Sequence, residues 1–174
     1  MSSIGNQFSF VLMSLGVLVG IVVLLRALRQ SWRVTAGAAL VVAAAALAAF
    51  MALRPGLSDV DSVQAAESML QSGKPTMVEF FSNYCINCLA ARPQVDALIS
   101  DIEARHADGV NILRIDIHTG FGRELRERYG FSYTPEFILF DRDGQEIWRA
   151  HTPPTPAQID DAVSGGVASA SANA

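Results

Sequence analysis

The chain has 174 residues, room for one modest domain and an appendage. Its net charge of −4 divides unevenly: residues 1–57 carry four arginines and no acid, while residues 58–174 carry nine basic and 17 acidic side chains. The acidic part lacks the basic face that phosphate binding needs, which excludes nucleic acid as a partner. Two cysteines three positions apart exclude a disulfide-stapled scaffold.

The first third is apolar. After a short N-terminal tail, 1–7, the stretch Phe8 to Leu25 has 18 uncharged residues and Val34 to Leu53 has 20. Each matches the ~20 residues that a helix needs to cross a bilayer, so residues 8–54 are expected to form a two-helix transmembrane hairpin in contact with lipid. The loop between the spans holds Arg26, Arg29, Arg33 and Trp32. Positive loops stay in the cytoplasm, which places the N-terminus and everything after Leu53 on the extracytoplasmic side. A cleaved signal peptide and an inverted hairpin with a cytoplasmic domain are the alternatives. Gly16 and Gly20 form a GxxxG spacing that permits close helix approach, or else simply face lipid.

Residues 55–60 form a linker around Pro55-Gly56. Asp61 to Leu70 reads as a helix capped by Asp61 or Ser62 and stopped by Gly73-Lys74-Pro75. Thr76 to Phe81 is a buried strand interrupted by Glu79. Cys85 to His106 is helical with Pro93 inside, Val110 to Ile117 a strand, and Arg123 to Tyr129 a charged, solvated helix ended by Gly130. Glu136 to Phe140 and Gln145 to Ala150 form a hairpin around Asp141-Arg142-Asp143-Gly144. Pro156 to Val163 is a last helix, and residues 164–174 read as a disordered tail. Strands alternating with helices imply parallel pairing, and the final turn adds an antiparallel strand. The product is an α/β domain over 61–163, a mixed sheet with helices on both faces. Within it, His118 reads as a surface histidine and Trp148 as packing.

Cys85 follows a strand and opens a helix, where unsatisfied N–H groups favour thiolate over thiol and lower the pKa below the free value of ~8.5. It is expected to be the more exposed and more acidic thiol. Cys88 lies one turn later on the same face, able to resolve a mixed disulfide formed on Cys85. The rival reading, half of a metal site, needs further ligands, and His106, His118 and His151 are not at ligand spacing. No metal and no cofactor beyond the dithiol is expected.

Over about residues 58–163 the sequence resembles the thioredoxin family. The resemblance rests on Val78-Glu79-Phe80-Phe81, then Tyr84-Cys85-Ile86-Asn87-Cys88, Pro93, Tyr129-Gly130, Thr134-Pro135 and Phe140 to Gly144, all in order. It implies a thioredoxin-like fold and a thiol–disulfide oxidoreductase. It gives Glu79 the role of a buried acid with a raised pKa that exchanges a proton with Cys88. It makes Pro135 a cis-proline that sets Thr134 beside the sulfurs, free to pair with an extended client, and makes Tyr84 an aromatic wall of the client site. Tyr84 replaces the family's usual tryptophan, and Ile86-Asn87 matches neither reducing nor strongly oxidising members. The lysine expected near the buried acid is replaced by Ile112, leaving Glu79 without that partner.

Glu79 together with an N-terminal anchor is most similar to the lumenal or periplasmic thioredoxin-like reductants of cytochrome c biogenesis. That resemblance implies disulfide-bearing clients, among them apocytochrome c, and a membrane thiol donor of the cytochrome-biogenesis or DsbD type. A disulfide oxidase or isomerase of the same fold, and a non-catalytic assembly factor, are the alternatives.

Overall fold

The structure, a computed structural model, describes residues 3–165. Its elements are α1 (Ser3–Gln7), α2 (Ser9–Ala27), α3 (Trp32–Leu53), α4 (Val63–Leu70), β1 (Thr76–Phe81), α5 (Ile86–His106), β2 (Asn111–Asp116), α6 (Gly120–Arg128), β3 (Glu136–Phe140), β4 (Glu146–Ala150) and α7 (Pro156–Ser164). A 3-10 turn, Ala107–Gly109, links α5 to β2. Of the tail expected over 164–174, Ser164 closes α7 and Gly165 caps it in the left-handed region at φ 78°. Residues 166–174 lie outside the described residues.

Local chemistry sets the helix starts. Ser62 caps α4 by accepting from the Ala65 N–H at 3.3 Å, which decides between the two expected caps. Thr119 caps α6 through the Gly122 N–H at 3.0 Å, so this helix begins three residues before the charged run that first suggested it. A Cβ on Gly122 would stand 2.1 Å from the Asp116 carbonyl oxygen, so only glycine fits that turn. Thr155 and Gln158 form a capping box with Pro156 inside the first turn of α7.

The sheet order is β2-β1-β3-β4. The β1–β2 pair is parallel and the β3–β4 pair antiparallel, as expected. The β1–β3 pair is antiparallel, against the expectation from alternating elements. Helix α6 has nine residues and rises ~14 Å, short of the ~20 Å that a six-residue strand spans. The chain re-enters the sheet at the end where β2 finished, on the far side of β1. This reversal is functionally decisive, because it brings the start of β3 beside the end of β1, where Cys85 lies.

Side chains alternate across the sheet. Val78, Phe80, Leu113, Ile115, Ile138 and Phe140 pack on one face with Val63, Ala66 and Leu70 of α4 and Leu125 of α6. Met77 and Leu139 pack on the other with Leu98 and Ile102 of α5 and Ile159 of α7, and Trp148 joins them from β4. Phe81 leads that second face to Cys85 and Cys88.

Helices α2 and α3 pack against each other and are each long and apolar enough to cross a membrane. Gly16 and Gly20 have open space where a Cβ would stand, so they provide no close approach between these helices. The hairpin is tied to the domain at one end: Arg92 Nη1 of α5 donates to the carbonyls of Ala52 (2.8 Å) and Arg54 (2.6 Å) at the end of α3. Asn83 exchanges two hydrogen bonds with the Gly56 backbone, at 2.9 and 2.8 Å.

Candidate functional site

Cys85 is the N-cap of α5, with extended backbone (φ −89°, ψ 123°) and no side-chain bond to the helix. Both cysteines are free thiols and both are buried. The Cys85 thiol is held down to about 5, first by a hydrogen bond from Cys88, then by Thr134 and the N–H groups of Asn87 and Cys88, against the opposing effect of burial. Burial pushes the Cys88 thiol up, and the neighbouring Cys85 sulfur adds to this. The pair is therefore asymmetric in the expected direction. The expectation that Cys85 is also the more exposed sulfur fails, because both residues are 0% exposed.

The Thr134–Pro135 bond is cis, and the Thr134 carbonyl lies 3.6 Å from Cys85 Sγ. The antiparallel register, with Phe80 opposite Glu136, carries these residues to the dithiol. Tyr84 is 38% exposed and stacks on Phe8 and Phe50, with ring centroids 5.6 and 5.9 Å away. Its wall faces the apolar hairpin rather than open solvent.

Glu79 is 1% exposed, on the sheet face that carries Phe81 and the cysteines. Burial raises its pKa, and Arg114 opposes the rise. The loss of the family's lysine does not leave Glu79 alone. The register sets Glu79 directly opposite Arg114 on β2, and Arg114 Nε donates to Glu79 Oε2 at 2.7 Å. Position 112 is two residues off that register. The guanidinium also lies 5.5 Å from the Phe81 ring centroid, a cation–π contact that keeps it beside the carboxyl. A lone basic residue inside the apolar run from Val110 to Ile117 was the available sequence signal.

His118 is not a free surface histidine. Its Nε2 lies 2.9 Å from Ser82 Oγ, and its ring packs against both Phe8 and Tyr84, with centroids 5.0 and 5.6 Å away. Ser82 Oγ also accepts from the Tyr84 N–H at 3.1 Å, bracing the turn that delivers Cys85. Neither Ser82 nor His118 carries a local pattern that marks it; their roles depend on packing between distant segments.

An acidic thiol, a second thiol one turn behind it, and the Thr134 carbonyl beside both can exchange disulfides with an extended peptide. Among the described residues no group of three or more His, Cys, Asp or Glu side chains could hold a metal.

Comparison with known proteins agrees with this geometry. The chain is 35% identical over 108 residues to the chloroplast thioredoxin-like protein HCF164 of Arabidopsis thaliana, covering 59% of this chain and 40% of that one. It is 25% identical over 112 residues to the thiol:disulfide interchange protein TxlA homolog of Synechocystis, covering 63% and 60%. It is 31% identical over 102 residues to the protein disulfide-isomerase erp38 of Neurospora crassa, covering 59% and 27%. The chain thus spans less than two thirds of the length of each of these relatives. The thioredoxin family model matches residues 60–164, more than half of the sequence, so the chain belongs to the thioredoxin family and carries a thioredoxin-type thiol–disulfide oxidoreductase domain.

Proposed function

We propose that this chain is a membrane-anchored reductase of protein disulfides, with α2 and α3 as spans and the thioredoxin domain on the extracytoplasmic side. The observation that carries the reading is the asymmetric thiol pair set against the Thr134 carbonyl: Cys85 is held low while burial raises Cys88. The Cys85 thiolate attacks one sulfur of a client disulfide. A mixed disulfide forms and the client's other sulfur leaves as a thiolate. Cys88 then gives its proton to Glu79 and attacks Cys85 Sγ, releasing the second client thiolate and leaving a Cys85–Cys88 disulfide. Two electrons have passed to the client. Thr134 and Pro135 align the client's extended backbone, and Tyr84 borders it.

The length and composition of α2 and α3, and the arginines between them, support anchoring with the loop inside. Similarity to the chloroplast thioredoxin-like protein and to the Synechocystis interchange protein homolog supports thiol–disulfide exchange as the reaction. Apocytochrome c is the client class, and a membrane thiol transporter of the cytochrome-biogenesis or DsbD type restores the dithiol. The test is trapping in cells with Cys88→Ser, which leaves the mixed disulfide on Cys85 unresolved. Recovery of membrane or exported proteins joined to Cys85 supports the reading, and exclusive recovery of cytoplasmic proteins overturns it. A reporter active only outside the cytoplasm is expected to work after Ala174 and to be silent at Gln30.

One observation favours a second direction of electron flow. A Cys85 thiol at about 5 lies between the ~7 of reducing thioredoxins and the ~3.5 of a strong oxidant. A stabilised thiolate favours the reduced dithiol, which makes the disulfide a better oxidant. Equilibration with glutathione decides: a potential near ~−270 mV supports the reductase, and one near ~−120 mV an oxidase or isomerase.

A further inference from the structure

Residues 3–10, expected to be a tail and the start of a span, lie over the dithiol. From α1, Asn6 Nδ2 donates to the Thr134 carbonyl at 2.6 Å and lies 3.5 Å from Thr134 Oγ1. Its Oδ1 is 3.9 Å from Cys85 Sγ. The next residue, Gln7, is buried, and its carbonyl accepts from Ser82 Oγ at 2.9 Å. Ser9 Oγ accepts from the Ile86 N–H at 3.0 Å, taking one of the open donors at the start of α5. The Phe10 N–H donates to the Tyr84 carbonyl at 3.0 Å. The Phe8 ring covers Tyr84 and His118. This cover accounts for the complete burial of a sulfur whose chemistry requires another sulfur to reach it.

The groups engaged are the ones an extended client would use. A client strand entering beside a thioredoxin dithiol pairs its backbone with the residue before the cis-proline. Here that carbonyl is already satisfied by a side-chain amide.

We propose that residues 3–10 are a built-in occupant of the client site, with the Asn6 carboxamide seated on the Thr134 carbonyl in place of a client's backbone amide, so that Asn6 gates access to Cys85. The proposal rests on the Thr134–Cys85 surface being the client site and is indifferent to the direction of electron flow. Because Ser9 and Phe10 hold the segment at the foot of α2, its effective concentration at the site stays high and it returns after each exchange. Exchange then proceeds only from the uncovered fraction, and every competitor is weakened by that fraction. A small reagent feels this in full. A client with its own extended segment offsets it by making the Thr134 contact itself.

The test uses the reduced full chain in lipid nanodiscs and measures iodoacetamide modification of Cys85 by mass spectrometry, from about pH 4 to about pH 8. Three proteins are compared: wild type, Asn6→Ala, and a chain lacking residues 2–7 but keeping Ser9 and Phe10. Lost cover raises the high-pH plateau of the rate, whereas a changed thiol acidity moves the midpoint. In both variants the plateau is expected to rise about tenfold, which corresponds to 1.4 kcal/mol of closing free energy, and the midpoint to fall, because the cover's burial no longer favours the thiol. A plateau in Asn6→Ala within about twofold of wild type overturns the proposal. A rise produced wholly by a shifted midpoint overturns it as well. If Asn6→Ala does not fold, the shortened chain is judged by the same two criteria. Alkylation consumes no client and no donor electrons, so its outcome is separate from the trapping experiment above.

Discussion

Each face of the sheet buries one glutamate, and the two are treated differently. Glu79 lies on the α5 face and Glu136 on the α4 and α6 face; both are 1% exposed. Each meets an arginine on the neighbouring outer strand, Arg114 of β2 at 2.7 Å and Arg149 of β4 at 3.1 Å. Glu136 also accepts from Ser132 Oγ at 2.8 Å and has His151 4.0 Å away. Among the described residues the hydrogen bond to Glu79 comes from Arg114 alone. Burial outweighs that contact, and the carboxyl is pushed up. A side chain that meets Ser132 and Arg149 together, as Glu136 does, ties β3 to β4. A carboxyl whose burial outweighs its single partner can take and return a proton.

Exchanging the two carboxyls for amides is the sharpest way to break this comparison. Glu79→Gln is expected to slow reduction of a small disulfide about 100-fold at neutral pH, the lower end of what a lost acid–base group costs. Glu136→Gln is expected to leave that rate within about threefold, since it is remote from the proton's path. Equal losses in the two variants would erase the distinction. Stability sharpens the comparison next. Glu136→Gln is expected to lower the unfolding free energy by ~2 kcal/mol in urea titration, because Arg149 loses the buried one of its two carboxylate partners while Nη1 is already without a hydrogen bond. Glu79→Gln likewise strands Arg114, whose Nη2 is unpartnered. The simple gain expected from removing a lone buried acid should therefore appear only when Arg114→Leu accompanies it.

Arg114→Leu alone should move the comparison further apart. It removes the charge that opposes Glu79's rise, so the carboxyl should hold its proton to higher pH. The pH profile of the exchange rate should show this limb about one unit higher. An unmoved limb would show that Arg114 does not tune the acid.

The comparison extends to stability against pH. Glu79's folded pKa is above its unfolded value. Its contribution is therefore fully present below the unfolded carboxyl value and is lost as pH rises through the folded one. Cys85 has the opposite sign. Its folded value is about 5, so the thiolate's contribution is present above the unfolded value of ~8.5 and is lost as pH falls through about 5. Urea midpoints of the reduced protein should rise between those limits in wild type and flatten in Cys85→Ser.

Most of the elements that carry the site were legible. Thr76 to Phe81 declares a strand through its unbroken apolar run, and the strand's end presents Cys85 to a helix start as the spacing implied. The Thr-Pro pair at 134–135 and the glutamate inside β1 are readable because each breaks a local rule. Arg114 was missed: the partner position of Glu79 was assigned to Ile112, two residues off the register that sets Arg114 opposite the acid. Residues 3–7 carried no periodic apolar face and read as tail, because their helix is held by contacts to residues 82, 85 and 134.

By itself the sequence determined what depends on neighbours along the chain: the apolar lengths of α2 and α3, the strand and helix periods, the caps, and the acidic character of a cysteine at a helix start. The tertiary structure alone decided what depends on segments far apart in the chain. Strand direction depends on where α6 releases the chain, so only the folded sheet brings Thr134 to Cys85. Charge partners depend on register, so only the β1–β2 pairing gives Glu79 its arginine. Access depends on what lies above an atom, so only the packing of residues 3–10 across the dithiol makes the more acidic sulfur a covered one.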